Sequence, residues 1–197
     1  DSDTTAAVEF YAATANTPSS GIVSDLTINT SGTVTVVNNI GGVSGGNIDA
    51  FAINGANNIS IGGNIAANTV DFTDFSGSSI AVVGNLRGNT GVNNGYAKVT
   101  ITDTVSNVYD LSFTGSVNKF GGSVADITFA NTGKLTLGKT AGSTFEFAGA
   151  VTGTAASEVN LGANITAAGA VNFGSSTAPI SLLSNTTVTT SSANGAI

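Results

Sequence analysis

The sequence predicts an all-β protein wound as a parallel β-helix, or β-solenoid. Three observations predict it. A seven-residue phrase, apolar–x–apolar–x–small–x–apolar, keeps returning. Val and Ile alternate with Thr, Ser and Asn, while charged residues make up only 9% of the chain. No stretch shows a 3.6-residue apolar period with helix caps. Ordinary strand-and-turn signals also fit an antiparallel β-sandwich, which stands as the alternative. Repetition of one supersecondary unit favours the stacked architecture.

The phrase first appears as Val34-Thr35-Val36-Val37-Asn38-Asn39-Ile40. It returns as Ile59-Ser60-Ile61-Gly62-Gly63-Asn64-Ile65 and Ile80-Ala81-Val82-Val83-Gly84-Asn85-Leu86. Further copies begin at Val99, Leu111 and Phe145, with a looser one from Val159 to Ile165. Positions one and three lie on one face of a strand, because side chains alternate along it. The fifth position is Asn38, Gly63, Gly84, Asp103, Gly115 or Gly149. Those residue types enter left-handed backbone most readily, which predicts a corner there. The apolar seventh position then points inward on a new side.

Taken in order, Val8-Glu9-Phe10-Tyr11-Ala12 reads as a strand ended by the turn Pro18-Ser19-Ser20-Gly21. This stretch lacks the phrase, so residues 1–25 are expected to form an N-terminal cap or arm. Residues 26–197 are expected to form the solenoid. Leu26-Thr27-Ile28 is a short strand before the first full copy. Gly41 to Asn47 is a glycine-rich loop, and strand alternation resumes from Phe51 to Phe75. Residues 87–95 form another loop, closed by Asn93-Asn94-Gly95, where an Asn-Gly pair allows a local hairpin. The spacing from Val34 to Ile59, Ile80 and Val99 suits whole coils, whereas Leu111 follows after only a part of one. Ile127-Thr128-Phe129 and Leu135-Thr136-Leu137 fill the long gap before Phe145, and Val171-Asn172-Phe173 adds a strand. About six to eight coils at about 4.8 Å each give a rod of roughly 30–40 Å.

Composition narrows the function. Cys and His are absent, which excludes disulfides, thiolate metal sites and His-based triads. Met is absent too, so the chain reads as processed or excised from something longer. No leader-like segment and no apolar run of membrane-spanning length is present, so direct membrane insertion is not expected. Residues 1–80 hold seven acids and no base, and all five bases lie between Arg87 and Lys139. Nucleic acid is not expected as a partner, because its recognition needs a basic footprint.

Candidate chemistry is thin. Asp71, Asp74, Asp103 and Asp110 are isolated acids around a single arginine, Arg87, and read as surface and turn caps rather than a glycosidase pair. Gly45-Gly46-Asn47-Ile48-Asp49 departs from the calcium nonapeptide and reads as an ordinary loop. No phosphate-cradling motif is placed, and no cofactor is expected. The sequons at Asn29, Asn58, Asn164 and Asn185 are expected by chance in so Asn- and Thr-rich a chain. Phe113, Phe129, Phe145 and Phe147 read as core. Tyr96 and Tyr109, with Arg87, are the candidate contact surface. Val8, Phe10 and Tyr11 are the candidate assembly arm, able to add a strand to a neighbour.

Leu111-Ser112-Phe113-Thr114-Gly115-Ser116-Val117, Lys134-Leu135-Thr136-Leu137-Gly138 and Phe145-Glu146-Phe147-Ala148-Gly149-Ala150-Val151 resemble passenger repeats of bacterial autotransporters, the large rickettsial outer-membrane surface antigens above all. The resemblance covers roughly residues 26–175. It implies secretion, a β-helical passenger displayed at the cell surface, and adhesion or coat roles without catalysis. The expected function is therefore a non-enzymatic extracellular adhesin, with a host receptor or copies of itself as partner. The alternative is a surface-layer or filament subunit assembled through the N-terminal arm.

Overall fold

A computed structural model describes residues 8–10, 25–41, 48–88, 95–103, 108–121 and 126–191. Its strands in chain order begin with β1 (Val8–Phe10), β2 (Leu26–Asn29), β3 (Thr33–Val36), β4 (Ile48–Asn54), β5 (Asn58–Ile61), β6 (Ile65–Phe75) and β7 (Ser79–Val82). They continue with β8 (Leu86–Arg87), β9 (Lys98–Asp103), β10 (Asp110–Phe113), β11 (Val117–Phe120), β12 (Ile127–Thr128), β13 (Lys134–Leu137) and β14 (Thr144–Phe147). The last six are β15 (Val151–Gly153), β16 (Glu158–Leu161), β17 (Asn164–Ala167), β18 (Val171–Phe173), β19 (Ile180–Leu182) and β20 (Val188–Thr190). No helix occurs among the described residues.

The chain is a β-solenoid. Every pairing between these strands is parallel, which excludes the antiparallel sandwich. One face stacks β1-β3-β5-β7-β10-β13-β16-β19, and the passage from β3 to β19 makes six turns. A second face runs from the start of β6 through β8, β11, β14, β17 and β20. The third holds β2, β4, the rest of β6 and β9. Strands β12, β15 and β18 take the same place in the coil order further along. Strand β6 turns the corner unbroken: Ile65 and Ala66 pair with β8, and Thr69 to Phe72 pair with β9.

The phrase explains the first face. Val34, Ile59, Ile80, Leu111, Leu135 and Val159 stand in register, one per coil. None is more than 1% exposed, because each is covered by its equivalents on the coils beside it. Two residues on, Val36, Ile61, Val82, Phe113, Leu137 and Leu161 form a parallel column. Seventh-position Ile40, Ile65 and Leu86 point inward on the second face and are fully buried. The interior then changes character. Phe120 lies within ring-stacking distance of Phe145 and Phe147, at 5.9 and 5.2 Å, and meets Phe113 and Phe129 edge-on. Such ring pairs add about 0.5–1.5 kcal/mol each beyond their burial.

Three expectations are corrected. First, the copy at Val99 does not start a coil on the first face; it lies on the third, in register with Val70. The coil after Ile80 instead closes at Leu111, and the copy at Phe145 lies on the second face. Second, the fifth-position glycines are not left-handed: positive φ occurs elsewhere, as at Gly41 (77°) and Gly138 (76°). Gly63, Gly84 and Gly115 are required by close approach. A Cβ on Gly84 would stand 2.0 Å from the Gly63 carbonyl oxygen, and one on Gly115 2.2 Å from that of Gly84. Third, Val117 was expected inward but is 41% exposed, and Asn118 beside it is fully buried. A one-residue slip at that corner exchanges the two faces of the strand.

Candidate functional site

Polar side chains of this rod are largely used to join one coil to the next. Asn39 Oδ1 accepts the Asn64 backbone N–H at 2.9 Å, and Asn64 Oδ1 accepts that of Asn85 at 2.8 Å. Asn85 Oδ1 in turn accepts from Val117 N at 2.9 Å and Ser116 Oγ at 3.1 Å. A corner opens the backbone ladder, and an amide oxygen at that spot satisfies an N–H that would otherwise lack a protein partner. Buried Asn118 mends the slipped corner: its Oδ1 accepts from Leu86 N at 3.2 Å and its Nδ2 donates to Gly115 O at 2.9 Å. Elsewhere Asn131 is fully buried, with Nδ2 donating to Lys134 O at 3.0 Å and Tyr109 O at 3.3 Å.

The acids do similar work. Asp25, Asp110 and Asp126 each accept a backbone N–H from the following coil, from Ala50, Lys134 and Ala150 at 3.1, 2.8 and 2.7 Å. Asp49 accepts from Asn68 Nδ2 at 2.9 Å. Asp74 occupies left-handed backbone (φ 52°) at the irregularity where β6 and β9 shift register. Among the described residues no group of three or more Asp or Glu gathers around a common point. Three of the four sequon asparagines also bridge coils. Asn29 Oδ1 accepts from Asn54 Nδ2, Asn58 Oδ1 from Ser79 N, and Asn164 Oδ1 from Thr187 N.

The candidate contact residues separate. Tyr109 is 2% exposed and packs edge-on against Phe75 at 5.2 Å, so it is core and not contact surface. The outward residue at that corner is its neighbour Val108, 64% exposed. Tyr96 is half-buried beside a column on the second face. Lys119 Nζ lies 5.4 Å from its ring centre and 2.9 Å from Glu146 Oε2, and the Tyr96 hydroxyl donates to the same carboxylate at 3.5 Å. Arg87 follows Leu86, the register partner of Asn118, so it falls one coil before Lys119 in that column. Gly88 N donates to Gly95 O at 2.9 Å, closing the path around residues 89–94, which lie outside the described set.

In the candidate arm, β1 lies parallel on β3 of its own chain, with Val8 opposite Val34 and Phe10 opposite Val36. Tyr11 and the loop from Gly42 to Asn47 lie outside the described residues. The opposite end of the rod differs. Ile180, Leu182 and Leu183 are 48%, 66% and 47% exposed, although the first two stand in register with buried Val159 and Leu161. Beside them Leu161, Val171, Asn172, Phe173, Ile180 and Val188 line an open hollow of about 310 Å³. Sequence reasoning missed this feature because Ile180-Ser181-Leu182 carries the same alternation as every buried coil before it.

Compared with protein-family models, curated proteins and solved structures, the chain matches none.

Proposed function

We propose that this chain is a non-catalytic segment of an extracellular attachment protein, a stiff rod whose outer face binds another macromolecule. One observation carries the reading. Among the described residues, Asp110, Asp126, Glu146 and Glu158 are engaged between coils rather than gathered around a hollow, so this chemistry serves the rod itself. A ladder of eight parallel strands gives such a rod axial stiffness. Display at a cell surface accords with the scarcity of charge and with the passenger-like repeats described above. The partner, a receptor on another cell, meets the column of Arg87, Tyr96 and Lys119. An aromatic ring beside two cationic side chains is a common composition for the centre of a binding face.

The test is saturable binding of the fluorescently labelled chain to cultured mammalian epithelial cells and to surfaces coated with extracellular-matrix protein. Binding that weakens at least about tenfold in Tyr96→Ala/Arg87→Ala is the expected outcome, a tenfold change being about 1.4 kcal/mol. Failure to saturate on either surface defeats the attachment reading. Binding that survives the double substitution defeats this face.

A further inference from the structure

Asn54 is followed by Gly55, and both residues lie among those described. Asn–Gly is the dipeptide most open to deamidation, because glycine has no Cβ to shield its backbone nitrogen and turns freely toward the preceding side chain. The reaction is internal. Gly55 N bonds to Asn54 Cγ, the Cγ–Nδ2 bond breaks, and Nδ2 leaves as ammonia with the proton from Gly55 N. Water then adds to either carbonyl of the resulting succinimide and opens it to aspartate or isoaspartate.

The folded rod holds both reacting groups elsewhere. Asn54 closes β4 and stands in register between Asn29 of β2 and Thr73 of β6. Its Nδ2 donates to Asn29 Oδ1 at 2.8 Å, and its Oδ1 accepts from the Thr73 hydroxyl. The preceding coil therefore holds the leaving nitrogen, and the following coil holds the carbonyl oxygen. Gly55 N donates to Thr73 O at 2.9 Å, and Asn54 O accepts from Thr30 N at 3.0 Å. Cyclisation has to draw Gly55 N away from Thr73 O and swing the carboxamide off both neighbours. Glycine is nonetheless needed at this corner. Gly55 has φ of 78°, and a Cβ there would stand 3.0 Å from Thr30 O. The chemical liability comes with the turn.

We propose that Asn54–Gly55 is a latent self-modification site, locked by the coils on either side and released when this coil opens. Local opening is a property of each coil and its neighbours, so the site reports on the Asn29–Asn54–Thr73 rung rather than on the whole rod. The two products differ in effect. Aspartate at position 54 still accepts from Thr73 but has no proton to donate to Asn29. Isoaspartate routes the main chain through Cβ and Cγ and lengthens it by one atom. Gly55 N then falls out of line with Thr73 O, at the end of a strand whose register the rungs on both sides fix. An opening event is thus made permanent in the covalent chain. The inference is independent of the attachment reading.

Peptide mass spectrometry of the full chain, incubated at mildly alkaline pH either folded or in guanidinium chloride, tests it. Deamidation at Asn54 should run at least about tenfold slower in the folded chain, because only the opened fraction reacts. Asn64 and Asn85, followed by Ile65 and Leu86, serve as controls and should stay unmodified in both. Asn29→Ala/Thr73→Val removes both side-chain partners and leaves the Gly55 N–Thr73 O bond in place. It should keep the β-sheet circular dichroism and, when folded, deamidate at least about threefold faster than the parent, within the factor one net hydrogen bond supplies. Thr73→Ser, which retains the hydroxyl, should keep the parent rate. Equal rates in the folded and denatured parent overturn the proposal, and that comparison needs no variant. A folded double variant no faster than the parent overturns it as well.

Discussion

Val159 and Leu161 on β16, and Ile180 and Leu182 on β19, carry the same apolar–x–apolar pattern one coil apart. They share a spacing, a strand register and a place at the head of their coil. The first pair is at most 3% exposed, and the second is 48% and 66% exposed. Burial here is thus a property of the neighbouring coil and not of the residue. In a quasi-one-dimensional fold each rung depends on the rungs beside it, and among the described strands β16 has a neighbour on both sides whereas β19 has one.

Breaking the interior tests this contrast most strongly. Phe120→Ala removes a fully buried ring that contacts four other phenylalanines and is expected to cost about 3–5 kcal/mol. The shift of the denaturant-unfolding midpoint measures it. Leu161→Ala should cost about 2–5 kcal/mol, while Leu182→Ala at its register partner should change the monomer by no more than about 0.5 kcal/mol. Equal costs at the two positions would show that something already covers the last coil.

Gly84→Ala probes the corner. Its new Cβ meets the Gly63 backbone, which cannot swing aside as a side chain can, and about 1–3 kcal/mol should be lost. Gly142, whose added Cβ would meet nothing within 4 Å, has φ of 86°, so there the same substitution tests backbone strain instead. Comparing the two separates close approach from conformational strain. Asn85→Ala deletes the acceptor for Val117 N and Ser116 Oγ and should cost about 0.5–1.5 kcal/mol. Amide hydrogen exchange at Val117 should quicken first. Lys119→Ala should also have a small effect. Its ion pair with Glu146 is about one-third exposed, so a loss of no more than about 1 kcal/mol, reduced further by salt, is expected.

The glycine series shows how far the chain could be read without its fold. Gly63, Gly84 and Gly115 are visible as a repeated small position, and the corner is where the phrase places it. The reason assigned to them was local, a left-handed turn. The actual reason is contact with backbone in another coil, 21 residues away for Gly63 and Gly84. Tyr109 was misplaced for a related cause. It precedes β10 at a corner, where alternation gives no face, and only packing against Phe75 reveals that it lies inward. Asparagines form ladders along the corners. Their bonding runs from backbone N–H to side-chain oxygen, which composition does not disclose.

From sequence alone, the alternation of Val, Ile, Leu and Phe determined which residues of each strand face inward, because backbone geometry sets a period of two. The recurrence of the phrase determined that strands stack in coils. The tertiary structure decided which face each copy occupies, since corner lengths vary and a single extra residue exchanges Val117 for Asn118. It also decided that β16 is covered on both sides while Ile180 and Leu182 on β19 are exposed. Both outcomes depend on residues a whole coil apart, and a pattern seven residues long carries no information at that distance.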